Sequence, residues 1–234
     1  MARNHCAGGI ALGVALLWSG VAAAGEVFTG FQIDSHSQYY AYTGVRVPIS
    51  SEKENLQPFV QLMGAGLGYT FRDNGVKRDA EVQFATPALG LKYLWGPWSF
   101  IGFAGPQVRW KQQDLPGGRR SHENDVGFQV QGEAFHWQEQ GTAHAIVSYT
   151  NLDGLIWSRL RATRLVYKQE GSCCPLYLGW DIGGMGNKDF YAVQTGPLVQ
   201  VPIGMFYLTV KGGYQYSQTF HNGAYGGVEL YVPF

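Results

Sequence analysis

The sequence predicts an all-β fold: a transmembrane, up-and-down antiparallel β-barrel over residues 25–234, preceded by a cleaved signal peptide. Three observations point there. The first residues have the layout of an export signal, a period of two recurs along the rest of the chain, and the composition is poor in charge but rich in glycine and aromatics.

Arg3 gives a short positive start, Ile10 to Trp18 an apolar run, and Ala22, Ala23 and Ala24 the small side chains that a signal peptidase reads. Cleavage is expected after Ala24. The apolar run is shorter than the roughly 20 residues that span a bilayer, and Gly20 follows it, which argues against a permanent anchor. Cys6 precedes the run instead of standing at the cleavage site, so a lipoprotein is not expected. At the other end Gly226, Val228, Leu230, Val232 and Phe234 alternate with Tyr225, Gly227, Glu229, Tyr231 and Pro233, the pattern of a strand with one oily and one wet face. A closing Phe on such a strand resembles the signal read by the outer-membrane assembly machinery.

Charged residues are 15% of the chain, against about a quarter in soluble domains, and Phe, Trp and Tyr are another 15%. With 33 glycines this suits a sheet that faces lipid outside and packs side chains inside. After the signal no apolar stretch reaches the ~18 residues of a spanning helix, and lipid cannot satisfy an open sheet edge, so a spanning chain must close into a barrel. Seventeen basic and seventeen acidic residues cancel, which argues against nucleic acid or an extended polyanion as partner.

Period-two segments separated by turn residues fall near 27–34, 38–48, 58–72, 80–95, 98–112, 125–138, 142–151, 154–168, 176–184, 189–200, 205–217 and 224–234. That is about twelve strands, an even number that returns both ends to one side; ten remain if the first segment, or the ninth and tenth, are misread. With both ends in the periplasm, Trp95-Gly96-Pro97-Trp98, Gln138-Glu139-Gln140-Gly141 and Val201-Pro202-Ile203-Gly204 read as periplasmic turns, and Arg72 to Asp79 and Asp114 to Asn124 as external loops. Several strands exceed the ~9–11 residues of a crossing and are expected to project beyond the membrane. Trp95, Trp98, Trp137, Tyr39 and Tyr177 near strand ends suggest aromatic girdles.

In the strand 125–138, Val126, Phe128, Val130 and Ala134 are expected to face lipid, and Asp125, Gln129, Gln131 and Glu133 the interior. Extending the alternation gives an inward set of Asp34, Arg46, Arg109, Glu133, Arg159, Arg161, Asp181, Lys211 and Glu229. Two readings follow: ion pairs that stiffen the wall, or the lining of a polar pore or binding cavity.

The sequence offers no catalytic spacing. None of His36, His122, His136, His144 and His221 has a serine two residues on; His144 and Ser148 share a strand face at about 13 Å, too far for direct proton transfer. His221 and Ser217 straddle a loop, and Asp181 and Glu133 read as ion-pair partners rather than a hydrolytic pair. Gly183-Gly184-Met185-Gly186-Asn187 reads as a loop, not a phosphate cradle. Cys173 and Cys174 are adjacent and lack the further ligands of a zinc site, leaving a strained vicinal disulfide or two thiols. No enzyme, cofactor or metal is expected.

Several segments, in order, resemble one family. Phe28-x-Gly30 followed by Tyr39-Tyr40-x-Tyr42-Thr43-Gly44 is similar to the opening strands of the BcsS family of bacterial cellulose-biosynthesis proteins. Val126-Gly127-Phe128-Gln129-Val130-Gln131-Gly132-Glu133 resembles its central strand, Trp157-Ser158-Arg159-Leu160-Arg161 and Gly186-Asn187-Lys188-Asp189-Phe190 later segments, and Gly223-Ala224-Tyr225-Gly226-Gly227 the closing strand. Gly171-Ser172-Cys173-Cys174-Pro175 departs from the pattern. The resemblance implies a non-enzymatic outer-membrane accessory to cellulose synthesis, export or surface attachment, with lipid, a glucan and secretion proteins as partners; a small-solute porin and a lipid-modifying barrel are the alternatives. It carries no catalytic residues. The expected lumen and glycan contacts are Tyr40, Tyr42, Arg109, Gln129, Gln131, Glu133, Trp157, Arg159, Arg161 and Asp181, since sugar rings stack on aromatic faces and hydroxyls bond amides and charged groups.

Overall fold

The computed structural model describes residues 25–49, 55–73, 76–115, 120–168, 175–218 and 222–234. The expected signal peptide, Cys173, Cys174 and His221 lie outside them.

Twelve strands follow one another: β1 (Glu26–Asp34), β2 (Tyr39–Pro48), β3 (Leu56–Asp73), β4 (Val76–Trp95), β5 (Trp98–Asp114), β6 (Arg120–Gln138), β7 (Gly141–Thr150), β8 (Leu155–Tyr167), β9 (Leu176–Gly186), β10 (Tyr191–Ile203), β11 (Phe206–Ser217) and β12 (Gly223–Pro233). Each pairs antiparallel with its chain neighbours, and β1 pairs with β12 from Glu26↔Pro233 to Asp34↔Tyr225, closing the sheet. The seam is extended by Gly25 and Phe234, whose backbones exchange hydrogen bonds of 2.5 and 2.8 Å. Three two-residue turns, Gly96-Pro97, Glu139-Gln140 and Gly204-Met205, sit at the end that carries both termini. Gly96 and Gly204 have φ of 56° and 61°, which glycine adopts without steric cost. The last turn lies two residues beyond the expected position, because β10 stays paired to Ile203.

Alternation assigns the faces. Val126 and Leu89 are 74% and 66% exposed and point outward, while Thr86 and Asp181 are 0% exposed and point inward. An apolar outer surface wrapped around a polar interior inverts the arrangement of a water-soluble domain. Tyr177 shares the inward parity of Asp181 and donates to the Glu139 carbonyl at 3.2 Å, so it belongs to the rim of the lumen and not to an outer girdle. Trp137 likewise shares the inward parity of Glu133.

Two segments read from sequence as loops are strand at residues 72–73 and 76–79 and at 114 and 120–124. β3 and β4 stay paired to Asp73↔Val76, and β5 and β6 to Asp114↔Arg120. β6 meets β7 only from Gln129↔Thr150, and β2 meets β3 only to Tyr39↔Gly68, so the outer parts of β3–β6 rise as a four-stranded parapet above the far rim. Its outer face turns polar at Asp79, Glu81, Gln112, His122 and Asn124, while Arg78 and Ala80 on the inner face stay buried, so the oily-wet alternation disappears there although the ladder continues. Gly183–Gly186 is also strand, held by β8 and β10 on its two sides.

Besides a register shift between Leu165 and Tyr167 where β8 meets β9, the ladder skips residues on both strands at two places. Between β4 and β5 it skips from Ala85↔Val108 to Leu89↔Ala104, and between β10 and β11 from Thr195↔Tyr214 to Leu198↔Lys211. Pro87 and Pro106 occupy the first gap and Pro197 the second, and proline has no N–H to donate. A Cβ on Gly105 would lie 2.0 Å from the Pro87 carbonyl, and one on Gly196 2.0 Å from the Gly212 carbonyl, so the backbones at both places approach as only glycine permits. Six strands separate these two corners in a ring of twelve. They therefore divide the barrel into two facing walls, β11-β12-β1-β2-β3-β4 and β5 to β10.

Candidate functional site

The two walls are zipped together inside. Arg46 on β2 reaches Glu133 on β6 at 2.7 Å, and Arg159 and Arg161 on β8 reach Glu229 on β12 at 3.1 and 2.9 Å. Tyr42 on β2 stands beside Arg159 on β8, its diametric strand. In a circular barrel of this strand number, one tyrosine and one arginine do not bridge a diameter; the contact requires a flattened section.

Each ion has several partners. Glu229 also takes Lys211 at 3.0 Å, and Arg161 grips Asp181 through Nε and Nη2 at 3.0 and 2.7 Å. Arg46 further holds Glu26 at 3.0 Å and donates from Nε to Gln61 Oε1 at 2.9 Å, with its guanidinium over the Phe59 ring at 4.9 Å. Lys92 completes Glu26 at 2.6 Å, and His144 stands 3.5 Å from Glu133 between the two clusters. Burying an ion costs several kcal/mol unless its partners are in place, which explains why these charges come as clusters and not as isolated pairs. Beside them Thr86, Gln107, Gln129 and Thr150 form a buried lattice with bonds of 2.7–3.3 Å, continued by Gln131, which donates to Glu133 at 3.0 Å. At the terminal end the lumen keeps a cavity of about 30 Å³ between Glu26, Arg46, Phe59 and Lys92, the share of one water. A shallow depression of about 430 Å³ lies instead on the outer wall, where Ser158, Gly184 and Gly186 offer little side chain.

At the rims, Lys168 pairs with Glu139, which holds the carboxyl below and the amine above their ordinary values. Arg109 binds Asp125 at 2.6 Å and also Asp153, tying the β7–β8 loop to the parapet. Among the described residues no three His, Cys, Asp or Glu are grouped to hold a metal ion.

The chain matches the family model for cellulose biosynthesis protein BcsS over residues 26–234. It belongs to the BcsS family. No curated protein matches it. Among solved structures it is similar to the β domain of the Bordetella autotransporter BrkA, at 14% identity over 91% of this chain and 100% of that one, with TM-score 0.56. It is also similar to the transport unit of AIDA-I from Escherichia coli, at 10% identity over 93% and 92% with TM-score 0.55, and to LpxR from Salmonella typhimurium, at 10% over 89% and 100% with TM-score 0.51. At such identities the likeness is one of fold: that of outer-membrane β-barrels.

The residues of this BcsS-family barrel singled out from sequence all fall on the inward parity, but in four settings. Glu133, Arg159, Arg161, Asp181 and Tyr42 belong to the cross-wall clusters, and Gln129 and Gln131 to the amide lattice. Arg109 closes a loop; Tyr40 and Trp157 stand toward the far mouth, Tyr40 at 5.7 Å from Tyr42 and Trp157 at 5.7 Å from the Arg159 guanidinium. The opening motif gains a physical meaning. Phe28 faces Gly44 and Gly30 faces Tyr42 across β1–β2, and a Cβ on either glycine would fall within 2.4–2.5 Å of the opposite ring. Glu26, Lys92, Gln61, Gln107, Gln32 and Gln194 were not read from sequence. Glu26 precedes the first expected strand, and neutral amides give no charge signal; parity alone marks them.

Proposed function

We propose that this BcsS-family chain is a closed, non-enzymatic outer-membrane barrel, an accessory to cellulose synthesis, export or attachment at the surface rather than the conduit itself. The observation that carries this is the zipped lumen. A chain of sugars, or a hydrated ion, has to break Arg46–Glu133 and the Glu229 cluster to pass. Both termini and the two-residue turns are assigned to the periplasm and the parapet to the cell exterior, with residues 1–24 removed on export. Lipid surrounds the apolar outer face; a glucan and the proteins that secrete it are the partners the family suggests.

The purified barrel in a planar bilayer is expected to stay silent, and deleting the gene to lower surface cellulose. A steady open channel reverses the reading toward a small-solute porin. Unchanged surface cellulose in the deletion strain removes the accessory role.

A further inference from the structure

Resting on the cellulose-related reading, we infer that the barrel carries an exterior slot for one uncharged β-linked glucan chain, formed where the two walls meet above the ionic clusters. Four side chains converge there from facing walls. Gln32 and Tyr40 are direct register partners on β1 and β2. Gln194 on β10 faces them, with Gln32 Nε2 donating to Gln194 Oε1 at 2.7 Å across the gap, and Trp157 has the inward parity of β8 in the same wall as Gln194. Trp157 and Tyr40 join the same group through Arg159 and Tyr42. Their place is near the exterior mouth: Gln32 lies two residues below Asp34, which accepts from the His36 and Gln38 amides to cap the β1–β2 turn. Trp157 lies two residues inside the start of β8.

The chemistry of the set selects the ligand. The ions beneath are committed to one another, so the slot presents amides and aromatic rings, which suit hydroxyls and sugar faces and offer nothing to a polyanion. A β-1,4-glucan is a flat ribbon and fits between two walls; an α-1,4-glucan coils. Gln32 and Gln194 exchange their mutual bond for bonds to the sugar as the chain seats.

Calorimetry with the folded barrel in detergent tests this with cellohexaose, maltohexaose and hexagalacturonate. Saturable binding of cellohexaose alone is expected, weakened roughly tenfold by Trp157→Ala and largely retained by Trp157→Phe, with lipid-facing Trp180→Phe without effect. Heat-dependent gel mobility checks that each variant is folded. Absence of saturable cellohexaose binding, equal binding of the three oligosaccharides, or a folded Trp157→Ala that binds as well as the parent overturns the slot. If cellulose at the surface depends on the gene and cellohexaose fails to bind, the slot falls and the accessory role stands; binding without that dependence leaves the reverse.

Discussion

Glu229 is the residue on which most of the interior converges, since Arg159, Arg161 and Lys211 all end on its carboxylate. Glu229→Gln keeps the shape but leaves three buried cations short of an anion, so a loss of about 3–5 kcal/mol is expected. Denaturant unfolding in detergent micelles reads it, and an unchanged midpoint would show the cluster to be decorative. The inward side of each such residue was legible because strand parity is strict: Glu133, Asp181 and Glu229 had to avoid lipid. Their partners were not legible. Arg46 and Glu133 are 87 residues apart, and only the closing of the sheet and its flattening bring β2 opposite β6. The slot shows the same limit. Tyr40 and Trp157 stood out as aromatics, whereas Gln32 and Gln194 acquire meaning only from facing each other across the walls.

The strands themselves were legible wherever one face meets oil. Their tips were not, because β3–β6 continue into water, where Lys111, Gln112 and Asp114 on one strand and Ser121, His122 and Glu123 on the next carry no apolar stripe. The corners, too, are a property of paired strands: Gly105-Pro106 and Gly196-Pro197 fall inside the expected strands 98–112 and 189–200, and the lapse shows only once their neighbours are seen. Gly105→Ala or Gly196→Ala forces a methyl into a backbone carbonyl and is expected to block folding or cost several kcal/mol. Gly102→Ala, with nothing within 4 Å of the added carbon, is expected to be almost neutral. Heat-dependent gel mobility of the three variants compares them, and equal behaviour would remove the corners as a structural device.

Across the whole molecule, the cross-wall bonds make the section oblong, a shape that no count of strands in the sequence reports. Spin labels at Thr43 and Leu160, on the diametric strands β2 and β8, are expected to lie closer than labels at Leu89 and Val210 beside the two corners. With Cys173 and Cys174 replaced by serine, pulsed electron resonance measures both separations; equal distances mean a round tube. The parapet has its own consequence. Because among the described residues four adjacent strands rise beyond the rim, the face we assign to the exterior has a windward and a lee side: a fibre leaving the surface nearby would be sheltered along one flank and free to swing on the other. A molecule of this outline gives direction to whatever lies against it, without moving.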